Sequence, residues 1–306
     1  MFKGVLNSIL RKILFISDQI SSRSMRILYE GAKNETTFPH YLAVAVIVKN
    51  EGPYMYEWLE YHRMLGVTKF YVYDNESSDN LKVLLRPYIN EGIVEYKYFS
   101  GKERQLAAYN NVLVRARQEV RWLAFIDVDE FIVLNSEGTI NEFLRNFEEF
   151  PGIEINWVVY GSGGKESKEE GLVIERFKDH AEKNSPLNRH VKSIVNPRMV
   201  RCSYIHISKY LSNHKSVNEH KQKNVINFLQ RNPSLDKIRI NHYFTKSHRE
   251  FIEKKNRGRA DSSELLADEH FRLHDRNEIK NDLTMDRFVS GVKERIRKVQ
   301  GGQKNN

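Results

Sequence analysis

The sequence predicts an α/β protein: a mostly parallel sheet with helices on both faces, followed by a less regular C-terminal region. Three observations lead there. Apolar runs rich in β-branched residues alternate with segments of helical period from residue 42 to about 147, which implies parallel strands joined by right-handed crossovers. Polar clusters at Lys49, Asp74 and Asp127 each follow directly on an apolar run, where open α/β sheets hold their ligands. The hydrophobic share of 40% and charged share of 29% are ordinary for a globular chain.

The first expected strand, residues 42–48, reads LAVAVIV and suits burial on both faces. Lys49-Asn50-Glu51-Gly52-Pro53 breaks it. Tyr54, Trp58, Tyr61 and Leu65 then recur at helical spacing, and Gly66 ends that helix. A second strand spans residues 70–73 and stops at Asp74. Residues 81–88 read as a helix and 93–99 as a third strand. After a helix over 105–117 comes the buried strand WLAFI, residues 122–126, which runs into Asp127-Val128-Asp129-Glu130. Thr139 and Glu142 have capping-box spacing. Beyond residue 150 the pattern loosens: strands are expected at 157–160, 172–177, 193–194 and 238–243, helices at 251–256 and 285–299, and a disordered tail at 301–306.

The charge balance of 49 basic to 40 acidic residues, net +9, favours an anionic partner without choosing one. A single cysteine, Cys202, excludes an intrachain disulfide and suits a reducing, cytoplasmic setting. No run reaches the roughly 18 apolar residues of a membrane span. Residues 1–38 form a basic amphipathic segment, with Phe2, Val5, Ile9, Leu10, Ile13 and Leu14 at helical spacing between Lys3, Arg11 and Lys12. It could lie on the anionic inner face of a membrane or pack on the protein's own body. The remaining division is one domain over 39–275 and a C-terminal helix and tail over 276–306.

Asp127 and Asp129 close a hydrophobic strand. Two carboxylates converging there repel unless a cation lies between them, and hard oxygen ligands point to Mg²⁺ or Mn²⁺. Such an ion would neutralise a diphosphate leaving group. Asp74 could accept a hydrogen bond from a base or ribose, or simply start a turn. Lys49 could face phosphate, or Lys49-Asn50-Glu51 could be a polar loop. His242, taken alone, reads more readily as structural than as a metal ligand. Lys246, Lys254, Lys255, Arg257 and Arg259 form a basic cluster that could hold phosphates or a solvated helix face.

The run VIVKNEGPYMYEWLEYHRMLGVTKFYVYDNESSDN, then Gln105 with Tyr109-Asn110, RWLAFIDVDEFIVL, YGSGG, IERF, VKSIVNP and NHYFTKSHREFIEKKNRG, resembles glycosyltransferase family 92 and its bacterial family-2-like relatives. The resemblance covers about residues 41–271. It implies a GT-A fold, Rossmann-like, with a nucleotide-sugar donor such as a UDP-hexose, Mn²⁺ or Mg²⁺, and a surface-glycan or lipid-linked glycan acceptor. Asp127 and Asp129 match the family's DxD carboxylates, Asp74 its nucleoside contact, and His242 a late histidine that helps hold metal and diphosphate. Lys49, Asn50, Glu51 and Gln105 match donor-side positions. Inversion at the anomeric carbon is implied, with one carboxylate as base; Glu175, Asp179 and Asp261 qualify, and Glu175, in IERF, is preferred. The competing readings are a sugar nucleotidyltransferase, a nucleic-acid-binding protein and an inactive glycan-binding relative. No nucleic-acid-binding motif is present, and the acidic strand ends oppose such a partner.

Overall fold

The computed structural model describes residues 38–223, 228–230, 232–260, 262, 264 and 266–303. The expected N-terminal amphipathic segment therefore lies outside the described residues, save Phe38, as does Asp261. No described helix is long and apolar enough to cross a membrane.

Strands β1 (His40–Val48), β2 (Lys69–Asp74), β3 (Val94–Tyr98) and β4 (Val120–Phe125) run parallel in the spatial order β3-β2-β1-β4. Between them lie α1 (Gly52–Leu65), the single turns α2 (Leu81–Leu84) and α3 (Arg86–Asn90), and α4 (Gln105–Glu119). The expected helix over 81–88 is broken because Pro87, which has no N–H to donate, starts the second turn. Gly66 stops α1 in the left-handed region at φ 116°.

The chain continues with β5 (Glu130–Leu134), α5 (Ile140–Arg145), β6 (Gly152–Val159), the short turn α6 (Val173–Arg176) and β7 (Val191–Val195). The hairpin β8 (Val200–Ser203) and β9 (Ser208–Tyr210) follows, then β10 (Ile238–His242) and helices α7 (His248–Arg257), α8 (Asp268–His274) and α9 (Asp286–Gln303). The eight-stranded sheet has the order β3-β2-β1-β4-β7-β6-β10-β5. β7 is antiparallel to β4 and β6, β10 is parallel to β6, and β5 is antiparallel to β10. One edge thus collects the ends of β1, β2, β4, β6 and β10 and the starts of β5 and β7.

Alternation along β1 fills both faces. Val44, Val46 and Val48 share a core with Trp58 and Tyr61 of α1. Ala43, Ala45 and Ile47 share the other with Ala108, Tyr109 and Val112 of α4. Burying each larger apolar side chain contributes about 1.5–3 kcal/mol, so the site edge rests on a rigid base.

Two expectations are corrected. Residues 172–177, read as a strand, are the helical turn α6. Its leading N–H groups on Val173 and Ile174 donate to the buried Glu57 carboxylate at 2.8 and 3.0 Å, which satisfies them as a strand ladder otherwise would. The tail also begins later: α9 continues through Gly301 and Gly302 to Gln303 and packs on α1, with Arg295 Nε donating to Glu60 Oε2 at 2.7 Å. Residues 304–306 lie outside the described residues.

Candidate active site

β4 delivers Asp127-Val128-Asp129 to the shared edge, and β5 begins immediately with Glu130. The register pairs Glu130 with His242 of β10, and Tyr243 N donates to Asp129 O at 2.8 Å. His242 is thereby carried to the DxD although more than a hundred residues separate them.

Asp127 is surrounded by donors. Its Oδ1 accepts from Gln105 Nε2 at 3.0 Å and Tyr109 Oη at 3.2 Å, and its Oδ2 accepts from Lys192 Nζ at 2.6 Å. Lys192 enters at the second residue of β7 and is 1% exposed. Burial works against its charge, but Asp127 and Glu130 reverse the balance and hold the ammonium protonated. Glu130 is fully buried and lies 3.4 Å from the same Nζ. Burial, reinforced by Asp127 and Asp129, pushes its carboxyl well above the ordinary range. Its Oε2 accepts from Asp127 N at 2.8 Å, which fixes the turn between the strands.

Asp129 is held differently. Burial pushes its carboxyl up, but Lys254, His242 and Lys246 overcome that and keep it well below the ordinary value. Lys254 Nζ donates to Oδ2 at 2.6 Å, and His242 Nε2 lies 3.6 Å from Oδ1. Lys254 comes from α7, whose start is secured by the Ser247–Glu250 capping box. Glu250 in turn accepts from Arg176 Nη1 and Nη2, each at 2.9 Å. Lys246, at φ 51°, is buried over the Tyr54 ring, and burial lowers its ammonium to about 8.

Asp127, Asp129, His242 and Lys254 line a cavity of about 260 Å³ whose wall also includes Lys49, Glu51, Gln105, Trp157, Arg257 and Arg259. Glu51, pushed up by burial, receives Arg257 Nη2 at 2.5 Å. Gln105 N donates to Ala260 O at 3.1 Å, which ties the segment after α7 to the start of α4.

Not every expected residue reaches the cavity. Asn50, at φ 50°, serves the turn: its Oδ1 accepts from Ser78 N at 2.6 Å. Both Asp74 oxygens are engaged, one by Ser77 N at 2.8 Å and one by Tyr96 Oη at 2.6 Å. Glu175 is absent from the cavity wall. It pairs with Lys293 of α9 at 2.6 Å on a separate surface depression shared with Lys178 and Asp286. Helix α6 points this carboxylate at α9, so the geometry gives Glu175 no part in the DxD site. Asp179 is likewise taken by Lys280 and Asn281 N.

The donor atoms decide how far a divalent cation fits. Asp129 Oδ1 and His242 Nε2 face each other beyond hydrogen-bonding distance. Burial keeps the imidazole neutral, as a metal ligand must be, and its Nδ1 has no partner among the described residues. That pair fits. Asp127 does not close into a tight triad with them. Among the described residues, the one group of histidine and acid ligand atoms within 4.8 Å of one another is Glu219, His220 and Asp236. There the Glu219 oxygens already accept from Ser234 Oγ and from Asp236, Lys237 and Ile238 N.

Sequence reasoning missed Lys192, Glu130 and the ring wall of Trp157, His190 and His206. A lysine inside the apolar strand VKSIV was the available signal, since a fully buried lysine is rarely found without a paired acid.

The model of glycosyltransferase family 92 matches residues 43–272, most of the chain. A glycosyltransferase family 92 protein of Oryza sativa subsp. japonica is 27% identical over 55% of this chain and 29% of its own length. A galactan beta-1,4-galactosyltransferase of Arabidopsis thaliana is 25% identical over 60% of this chain and 40% of its own. The chain thus spans only about a third of the length of the curated relatives it matches. S. aureus TarS 1-349 in complex with UDP is similar at 14% identity and a TM-score of 0.35, covering 52% of this chain and 47% of that one, a likeness too slight to bear on activity.

Proposed function

Since the chain belongs to glycosyltransferase family 92, we propose that it transfers a hexose from a nucleotide-sugar, a UDP-hexose, to a hydroxyl of a glycan acceptor. The observation that carries this reading is the convergence of Asp127, Asp129 and His242 on one sheet edge, inside a cavity whose other charged groups are mostly cationic. A diphosphate suits such a wall: Lys49, Arg257 and Arg259 supply charge-assisted donors, and the buried Asp129–His242 pair supplies ligands for Mn²⁺ or Mg²⁺. A divalent ion bound there would supply charge neutralisation to the departing diphosphate.

The chain's own residues do the positioning. Lys192, Gln105 and Tyr109 orient Asp127, and Lys254 holds Asp129 ionised. In-line attack by the acceptor oxygen on the anomeric carbon breaks the bond to the diphosphate and inverts the configuration. The proton leaving the acceptor hydroxyl passes to a carboxylate of the cavity, for which Glu51, a residue of its wall, is the candidate in place of Glu175.

Incubation with a panel of UDP-hexoses and Mn²⁺, with free UDP and pyrophosphate measured separately, tests the reading. UDP released from at least one donor is expected. Pyrophosphate formed from UTP and a hexose 1-phosphate instead would replace transfer by nucleotidyl chemistry.

A further inference from the structure

The cavity has a second wall that the donor reading leaves unused. Trp157 near the end of β6, His190 just ahead of β7 and His206 in the β8–β9 turn all line it. Trp157 and His190 stack at 4.9 Å and 19°, and His206 meets Trp157 edge-on at 5.3 Å. Phe228 extends the cluster, stacked on His206 at 5.5 Å. Trp157 also lies 4.2 Å from the His242 ring, so this wall abuts the metal-ligating pair.

Both imidazoles are held in one orientation. His190 Nδ1 lies 2.9 Å from Leu187 O, and His206 Nδ1 lies 3.1 Å from Val191 O. A carbonyl only accepts, so each Nδ1 carries the proton and each Nε2 is left as an acceptor. Neither Nε2 has a hydrogen-bond partner among the described residues. Burial keeps both rings neutral. Trp157 is 7% exposed, and its buried Nε1 has no hydrogen-bond partner among the described residues.

We infer that this wall is the subsite for the acceptor sugar: a hexopyranose meets the open parts of the half-buried His190 and His206 rings, which the buried Trp157 backs, and gives hydroxyl hydrogens to the two Nε2 atoms. Flat neutral rings fit a sugar, which is apolar on its ring face and rich in donors at its rim, whereas a phosphate would need the cations of the opposite wall. Sheet order assigns the sides. Lys49 and Glu51 follow β1 and Gln105 starts α4, on the half of the sheet where nucleotides bind in open α/β folds. The ring wall lies across Asp129, over β7 and β6. The inference rests on the proposed transfer reaction, and its test separates the two.

Saturation-transfer NMR on the full chain, with the aromatic protons irradiated and millimolar methyl β-galactopyranoside as probe, reads the subsite directly. Ring protons of the sugar should gain signal, and saturating UDP with Mn²⁺ should leave that signal in place. His190→Ala and His206→Ala should each weaken the sugar by about tenfold, the size of one lost hydrogen bond to a buried site, with UDP affinity held within about twofold. No sugar signal from the wild type, a signal unchanged in both variants, or a signal abolished by UDP would each overturn the assignment. If either variant fails to fold, the wild-type competition with UDP still decides. Failure of UDP to bind at all, with the sugar signal intact, would instead count against the donor reading.

Discussion

On the β1–β4 side of the sheet, the groups facing the cavity come from strand ends and the loops that directly follow them: Lys49 and Glu51 after β1, Asp127 and Asp129 after β4. On the β7–β6–β10 side they are brought together over long sequence separations. Lys192 meets Asp127 across 65 residues and Lys254 meets Asp129 across 125. The first side is assembled by local rules, with an apolar strand, a polar break and an amphipathic helix repeated along the chain. The second depends on buried ion pairs and caps, each of which must be complete to be tolerated in a low-dielectric interior. Removing one partner should therefore be costly on the second side, and on the first side damage should be confined to chemistry.

Lys192→Met tests that contrast most severely. It leaves the buried Glu130 and the partly exposed Asp127 without their cation, and breaking a buried pair costs about 3–5 kcal/mol. Urea unfolding should show a loss of that order, and a loss below about 1 kcal/mol would mean that the second side is not held by its buried charges. Glu219→Gln probes the same side away from the cavity. Its carboxylate is 2% exposed and caps three consecutive N–H groups at the start of β10, so about 2 kcal/mol of stability should be lost, with UDP binding unaltered.

Glu57 joins the two sides, since it stands on α1 and caps α6. Burial lifts its carboxyl from the ordinary 4.5 to about 7, against the pull of the Ile174 and Val173 N–H groups. Between those pH values the folded state keeps a proton that the unfolded state has released, so this group's contribution falls as pH rises through that window. The thermal midpoint of the wild type should drop relative to Glu57→Gln from pH 4.5 to about 7; a difference that does not vary with pH would refute the burial argument. The smallest effect belongs to Glu175→Gln. Its pair with Lys293 is more than a third exposed on both partners, so stability should change by no more than about 0.5 kcal/mol, and UDP release should be unchanged. A large loss of activity there would return Glu175 to the site.

The same contrast explains what was legible in the sequence. The strands β1, β2 and β4 and the helices α1 and α4 follow from periodicity because each buries its own apolar face, and the DxD follows because it ends such a strand. The capping box at Thr139 was legible for the same reason: its partners are three residues apart, and the Thr139 hydroxyl does accept from Glu142 N at 3.2 Å. Turn α6 was misread because its cap, Glu57, lies 116 residues away. Lys192, His190 and His206 escaped notice because their meaning depends on which strands neighbour one another. The order β4-β7-β6 cannot be inferred from hydrophobic pattern, and β7 inserts antiparallel where a continued parallel sheet was expected. Glu175 shows the converse: a carboxylate in a recognisable run turns toward α9 once α6 is helical.

Asp129 and His242 are the proposed ligand pair at the donor diphosphate. Calorimetric titration of UDP into the wild type and into Asp129→Asn, each with and without Mn²⁺, measures that claim most directly. UDP binding that requires Mn²⁺ in the wild type and weakens by roughly 10–100-fold in Asp129→Asn is the expected result. Equal UDP affinity in the two proteins, or affinity indifferent to Mn²⁺, would contradict it.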